Sequence, residues 1–519
     1  MKEQLCQEFK EDLEQFKKVT AGFYNGEVTT AEYKGISGGF GSYAQRGGKK
    51  SMLRLRLAGG RINQEQLKFV ADMVKKYEID KIHFTTCQTI QLHNLEEEAV
   101  CQIMEKAFQV GIITRGGGGD FPRNVMVSPL SGVEEGEEFD VLPVARKAAD
   151  YLLSLIKTVK LPRKLKVAFS NSKDNIVHAT FRDLGFVATK NHTFDVYSAG
   201  GLGNNYKMGV LVAQGVEPEK VLYYIRAMVD TFTEYGNYQQ RNKARTRYMQ
   251  EALGGPEPYR KAYEEKLKQV FEREKLDIKA EERTITKTGQ ADTIPEGRAG
   301  RVIKQKQDGL CAVHYHPIGG CIAPETLQAL YQAIKDMDQV ELALSPDESV
   351  YILNLNGKEA ETILDITKDS AGNRLEASVA CIGSSICQIG LQDSQGLLKA
   401  IVEAVRKEGF ADHVLPKLHI SGCVSSCGTH QVGSMGFHGF VKRVDEKPQP
   451  AFNLFVGGNA ARQEERFGES LGSMLAADIP EFLVELGKTI AASDTPVYER
   501  WYERHPEKLR EIAGRYINK

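Results

Sequence analysis

Four of the chain's nine cysteines stand in two short runs, "ACIGSSICQIG" and "HISGCVSSCGTHQVG": Cys381, Cys387, Cys423 and Cys427. Their spacings are C-x5-C and C-x3-C, with Gly and Ser between and around them. Thiolates are soft anionic ligands, and small neighbours let the backbone curve around a metal group with its amide N–H groups turned to the sulfurs. Zinc knuckles space their cysteines more tightly, so the five-residue gap is unusual for zinc. By chemistry the set suits a [4Fe-4S] cluster; a zinc site and unligated core thiols are the other readings. Cys6, Cys101, Cys311 and Cys321 are isolated and read as small buried hydrophobes.

The elements that must position these thiols come in duplicate. "SMLRLRLAGGRINQEQLKF…IHFTTCQTIQLHNL" from Ser51 and "GLCAVHYHPIGGCIAPETLQAL…VELALSPDESVYILNL" from Gly309 both give an alternating strand, a Gly-Gly turn, an amphipathic helix and two short strands. "LKVAFSNSKDNIVHATFRDLGFVA" from Leu165 pairs with "LHISGCVSSCGTHQVGSMGFHGFV" from Leu418. "FDVYSAGGLGNNYKMG" from Phe194 pairs with "FNLFVGGNAARQEERFG" from Phe452. The order A–B–A′–B′ predicts a pseudo-twofold α+β molecule. The cysteines occupy only the second copy, where a shared structural staple would appear in both.

The 519 residues exceed one core, and a balance of 68 Lys+Arg against 69 Asp+Glu gives no nucleic-acid footprint. The N-terminus is charged from residue 2 without an apolar h-region, and no apolar run approaches a membrane span. A soluble, cytoplasmic protein is expected, with no membrane or nucleic-acid partner; thiols there stay reduced, which favours metal or redox roles.

The cysteine pattern, with Gly before the third and after the fourth, resembles the sirohaem-dependent sulfite and nitrite reductases, and so does the duplication. The resemblance covers roughly residues 35 to 485. It implies a [4Fe-4S] cluster on Cys381, Cys387, Cys423 and Cys427, with Cys427 shared with the sirohaem iron. "MLRLRLAGG" is similar to the family's Arg-rich first strand and implies Arg54 as a substrate contact; "FPRNVMVSP" likewise implies Arg123. "LPRKLKVAF" is similar to a Lys-x-Lys strand, giving Lys164 and Lys166, whose i, i+2 spacing puts both on one face. Lys-x-Lys leans toward sulfite, because many nitrite reductases carry Lys-x-Asn. Sirohaem (siroheme) carries eight carboxylates and needs a basic pocket rich in amide donors. The implied contacts are Gln91, His93, Gly200, Gly201, Arg241, Lys243, Arg245 and Arg247, with Gly457, Gly458 and Asn459 from the second half. "RNKARTRY" also reads as a merely exposed helix face.

Two departures stand out. The family usually reads Thr-x-Arg-Gln-x-x-Gln where this chain reads "TTCQTIQ", so Cys87 replaces an Arg expected to meet a sirohaem carboxylate. "GCVSSCG" also lacks a common Pro-Asn pair.

The expected activity is six-electron reduction of sulfite to sulfide, with nitrite to ammonia as a second reaction. The alternatives are an assimilatory nitrite reductase, a non-catalytic sirohaem or iron–sulfur electron-transfer partner, and a zinc-stapled binding protein. No G-x-G-x-x-G lies between a strand and a helix with an acid downstream, so electrons are expected from a ferredoxin or a flavoprotein. The expected domains are an N-terminal helical segment (1–34), the first half of a central ferredoxin-like domain (35–118) and a first α/β lobe (119–278). A linker (279–300), the second central half (301–370) and a second α/β lobe with the cluster (371–519) follow.

Overall fold

The computed structural model describes residues 3–172, 174–295 and 300–518. Its strands, in chain order, are β1 (Ser42–Ala44), β2 (Ser51–Arg56), β3 (Arg61–Ile62), β4 (Ile82–Phe84) and β5 (Thr89–Leu95) in the first A copy. The first B copy has β6 (Met126–Val127), β7 (Val167–Ser170), β8 (Leu184–Thr189), β9 (Thr193–Ser198) and β10 (Val210–Val216). The second A copy has β11 (Val302–Lys304), β12 (Cys311–Tyr315), β13 (Cys321–Ile322), β14 (Glu341–Leu344) and β15 (Val350–Leu355). The second B copy has β16 (Val379–Ala380), β17 (Leu418–Ser421), β18 (Met435–Val444), β19 (Lys447–Val456) and β20 (Glu469–Leu475). The chain forms two compact units, Met1–Gly201 with Asn205–Tyr315 and Ile322–Lys368, and Leu202–Asn204 with His316–Cys321 and Asp369–Lys519.

The duplication is a property of the fold. The two A sheets run β1-β2-β5-β4-β13 and β11-β12-β15-β14-β3, so each takes its last strand from the other copy. One apolar core joins Leu53, Ile82 and Leu92 to Val313, Leu342 and Ile352, with Phe16 and Phe23 of the N-terminal helix. The copies match without insertion from Gln45/Gln305 to Asn94/Asn354. Both asparagines are left-handed, with φ of 60° and 63°. Gln45 Nε2 donates to Asn94 Oδ1 at 2.8 Å, and Gln305 Nε2 donates to Asn354 Oδ1 at 3.0 Å.

The B copies share a second pattern. β7 and β8 are parallel, then β8, β9 and β10 antiparallel; β17 to β20 repeat this. After β7 and β17 the chain turns through left-handed Asn175 and His178, and through Ser426 and Thr429. Asn175 Nδ2 donates to Thr180 Oγ1, and Ser426 Oγ donates to Gln431 Oε1 at the matching positions. A Cβ on Gly185 of β8 would sit 1.9 Å from Ala179 O, and one on Gly436 of β18 would sit 2.0 Å from His430 O, so both strands need glycine where they pass the turn. In this register Ser172 and Ile176 stand where the second copy has Cys423 and Cys427.

The linker is not a loose connection. Arg283 donates to Asp140 Oδ2 at 3.0 Å, Glu341 Oε1 at 2.9 Å and Ser131 O at 3.0 Å. Gln339 Oε1 accepts from Thr286 N and Lys287 N, and the backbones of Gly289 and Gly309 cross so closely that a Cβ on either would clash. Residues 296–299 of the expected linker lie outside the described residues. Among the described residues no helix is long and apolar enough to cross a membrane.

Candidate functional site: a basic pocket and a four-cysteine cradle

The first unit gathers the implied substrate cations. Arg54 leaves β2 opposite Gln91 of β5. Its Nη1 donates to Gly117 O at 2.5 Å. Arg123 donates from Nη1 to the same carbonyl at 2.8 Å and from Nη2 to Gly119 O at 2.8 Å. The acceptors belong to "RGGGGD", a run whose functional use the sequence did not flag: without side chains the loop folds tightly and its carbonyls face the two guanidiniums. Neither arginine has a carboxylate partner among the described residues. Burial, then Arg54, pushes the Arg123 pKa down. Arg56, two residues along β2, is buried and donates to Arg115 O, Pro122 O and Arg123 O, so it holds the loop that carries Arg123.

Lys164 and Lys166 are half-buried and flank fully buried Leu165. The expected Lys-x-Lys strand needs correction, because β7 begins only at Val167. The lysines lie on an extended lead-in that makes a single bridge, Pro122 with Leu165. The i, i+2 alternation survives because the lead-in is extended.

Behind Lys166 sits Asp183, which sequence reading missed. It is buried and accepts from Lys166 N at 2.8 Å, from Arg245 Nη2 at 3.0 Å and from Thr246 Oγ1. Burial alone would raise its pKa; Arg245 and the hydrogen bonds reverse this and hold the carboxyl below its usual range. Nothing local in "FRDLGF" announces a counterion whose partners lie 17 and 62 residues away.

Cys87 occupies the β4–β5 turn, partly buried against Met126 and Ala168. Asn124, the residue after Arg123, donates to the Cys87 and Gln88 carbonyls at 3.2 and 3.0 Å and so ties that turn to the arginine loop. Burial would push the thiol up, but Lys166, which also hydrogen-bonds it, together with Arg182 and Arg54 brings it down to about 6. At neutral pH it is a thiolate among cations.

The other implied sirohaem contacts divide. Gln91 and His93 are buried, and His93 Nδ1 lies 3.3 Å from Gln45 Oε1. "RNKARTRY" forms a short 3-10 turn, Arg241–Lys243, rather than a helix face. Arg241 pairs with Asp120, Arg245 with Asp183, and Arg247 Nε donates to Asn205 O. Lys243 is exposed, and Gly201 lies against the Arg247 side chain. In the second unit Gly457, Gly458 and Asn459 form the turn after β19, with Asn459 bridged to Arg466. The structure matches Ala199-Gly200-Gly201 to these three, one residue off the register of the Gly pairs.

An anionic cofactor fits the first-unit pocket. Arg123 Nε and Arg245 Nε are buried donors with no acceptor among the described residues. Orphaned guanidinium donors are costly unless an anion takes them.

The second unit holds the four cysteines on loops that glycine lets approach closely. Cys381 follows β16, and its Sγ accepts from Gly422 N at 3.1 Å. Burial, and then the nearby Cys427 thiol, pushes its thiol up to about 12. Cys387 N donates to Gly383 O at 2.9 Å, and Ser426 N donates to Cys423 O. A Cβ on Gly422 would lie 2.6 Å from Gln392 O, and one on Gly428 would lie 2.1 Å from Ile420 O. Four soft thiolates on glycine-rich loops are the ligand set that a cubane takes, one thiolate to each iron. The donor set, with an amide already bonded to one sulfur, fits the cluster.

The family model for the nitrite and sulphite reductase 4Fe-4S domain matches residues 118–271 and 371–504, and that for the nitrite/sulfite reductase ferredoxin-like half domain matches 43–107. A ferredoxin–nitrite reductase of Synechococcus elongatus is 25% identical over 84% of this chain and 85% of its own. A sulfite reductase [ferredoxin] of Mycolicibacterium paratuberculosis is 25% identical over 82% of this chain and 76% of its own. The Mycobacterium tuberculosis NirA protein has the same fold, with a TM-score of 0.77 at 22% identity over 96% of this chain and 95% of that one. A basic pocket, a four-cysteine cradle and a duplicated scaffold thus meet a family model that spans more than half of the chain: the protein belongs to the nitrite and sulphite reductase family, oxidoreductases that carry sirohaem and a [4Fe-4S] cluster.

Proposed function

We propose that the protein reduces sulfite to sulfide in preference to nitrite, drawing electrons from a ferredoxin in the cytoplasm. The observation that carries the substrate choice is the Lys164–Leu165–Lys166 lead-in beside Arg54 and Arg123. Sulfite approaches a dianion near neutral pH, and four cations suit it better than the singly charged nitrite. Each cation about 4 Å from an anion contributes on the order of 4 kcal/mol before desolvation at an effective dielectric near 20. The names of the nitrite and sulfite reductases similar to this chain support ferredoxin as donor. The domain division at residues 35, 119, 279, 301 and 371 belongs to the same reading.

When bound, the sirohaem and cluster supply the electrons and the iron that takes the anion's sulfur or nitrogen. Cys381, Cys387, Cys423 and Cys427 would hold the cluster; Arg245 with its orphaned Nε, Arg247 and Lys243 would meet sirohaem carboxylates. The chain's own residues do the rest. Arg54 and Arg123, braced on Gly117 O, grip the anion's oxygens by their remaining N–H groups. Lys164 and Lys166 hold protons on Nζ for the oxygens that leave as water. Lys166 hydrogen-bonds the Cys87 thiol and helps to hold its pKa low. The test is kcat/KM for sulfite and nitrite on one preparation with a common reductant. Sulfite should be favoured at least tenfold, and Lys166→Asn should narrow the gap; a nitrite preference in the parent protein would overturn the reading.

A further inference from the structure

Arg54 is also supported from behind by a row of buried side chains. Gln91 stands between Arg54 and His83. With its amide oxygen toward the guanidinium, Gln91 accepts from Arg54 Nη2 at 2.5 Å and from Nε at 3.3 Å. The opposite orientation would set an NH2 against guanidinium N–H groups, so this assignment follows from the neighbours. The other amide head atom then stands 3.5 Å from His83 Nδ1. That makes Nδ1 the acceptor and puts the ring proton on Nε2. His83 Nε2 faces Glu348 Oε1 at 3.6 Å, with both side chains almost fully buried. Gln91, His83 and Glu348 thus stand in a row behind the guanidinium, with His83 Nε2 buried beside the carboxylate but beyond hydrogen-bond distance of it.

The pseudo-twofold shows that this is not shared scaffolding. Glu348 and Gln88 are matched positions in the β14–β15 and β4–β5 turns, and both are left-handed, with φ of 68° and 53°. Each reaches across to the other copy, Gln88 Nε2 donating to Leu344 O at 2.7 Å. Only the Glu348 side carries a carboxyl. His83 is matched by Ala343, Gln91 by Tyr351 and Arg54 by His314. In the second copy that face is closed by Leu130, Val133, Ile285 and Ile303 packing on Ala343 and Tyr351. The buried histidine–carboxylate pair therefore occurs only behind the face that carries Arg54.

We propose that His83 and Glu348 are positioning residues that hold Gln91, and through it Arg54, in the anion-gripping orientation. The proposal rests on Arg54 contacting the substrate. Neither residue touches the anion, so the effect falls on binding rather than on chemistry.

The experiment uses the full-length holoprotein, with steady-state sulfite kinetics and a thermal melt for each variant. Arg54→Met is the reference and should raise KM at least tenfold. His83→Leu and the near-isosteric Glu348→Gln should each raise KM about five- to tenfold with kcat within about twofold, as expected for a slightly misaligned grip. His83→Gln, which can still accept from Gln91 and set an N–H beside Glu348, should restore KM to within about threefold. In a Gln91→Leu background His83→Leu should add nothing, because the link is already cut. If Arg54→Met raises KM and both His83→Leu and Glu348→Gln leave it within twofold, the positioning role is wrong while the substrate site stands. If Arg54→Met leaves KM unchanged, the substrate assignment itself fails and the pair has nothing to position. A lower melting temperature with unchanged KM would mark the pair as structural only and overturn the proposal.

Discussion

Arg123→Met is the sharpest single perturbation of the pocket. Arg123 spends two N–H groups on Gly117 O and Gly119 O at 2.8 Å each and leaves Nε buried without an acceptor. A cation about 4 Å from a bound anion is worth on the order of 4 kcal/mol at an effective dielectric near 20. Burial and the neighbouring Arg54 both work against the Arg123 charge, and desolvation of a buried ion offsets part of the Coulombic gain, taken as about half. About 2 kcal/mol of anion binding should be lost, or roughly thirtyfold in kcat/KM. Arg123→Lys keeps the charge but not the fork and should cost about fivefold. Because Arg54 and Arg123 share one carbonyl, removing both should cost less than the product of the single effects. The assay is anaerobic sulfite turnover with a saturating reductant, beside a melt that shows each variant folded. A folded Arg123→Met protein within threefold of wild-type kcat/KM would refute the reasoning.

Two further outcomes follow from the buried charges. Asp183→Asn strands Arg245 and the Lys166 amide, and should cost about 3–5 kcal/mol, read as a lower urea midpoint. The carboxyl pKa is depressed in the fold, so its contribution is complete above the ordinary Asp value near 3.9 and is lost as pH falls through the lower folded value; the two proteins should converge only in acid. Cys87 should alkylate with a midpoint near pH 6, followed peptide by peptide by mass spectrometry, and Lys166→Met should move that midpoint upward; a midpoint above 8 in the parent protein would contradict the cation-rich surroundings.

Much of the architecture was legible because it is written twice. The Gly-Gly turns and alternating strands repeat, and the cysteines stand out by occurring in one copy. Arg54 was separable by motif from Arg56, yet the reason lies in burial: three loop carbonyls claim Arg56, which no local pattern shows. The Gly117 carbonyl, the Asp183 counterion and the His83–Glu348 pair depend on residues distant in sequence, where periodicity is silent. The anchors of the linker, Arg283 to Asp140 and Glu341, were not legible, because composition alone assigns such charges to solvent. The lysine lead-in reads as strand because it alternates, but too few backbone partners lie beside it to make one.

The most direct test of the account is the visible absorption spectrum of the anaerobically purified, reduced protein before and after sulfite and then nitrite. A Soret band with a long-wavelength isobacteriochlorin band is expected, both shifting on anion addition, sulfite acting at the lower concentration. A colourless protein, or a broad iron–sulfur shoulder unmoved by either anion, would contradict it.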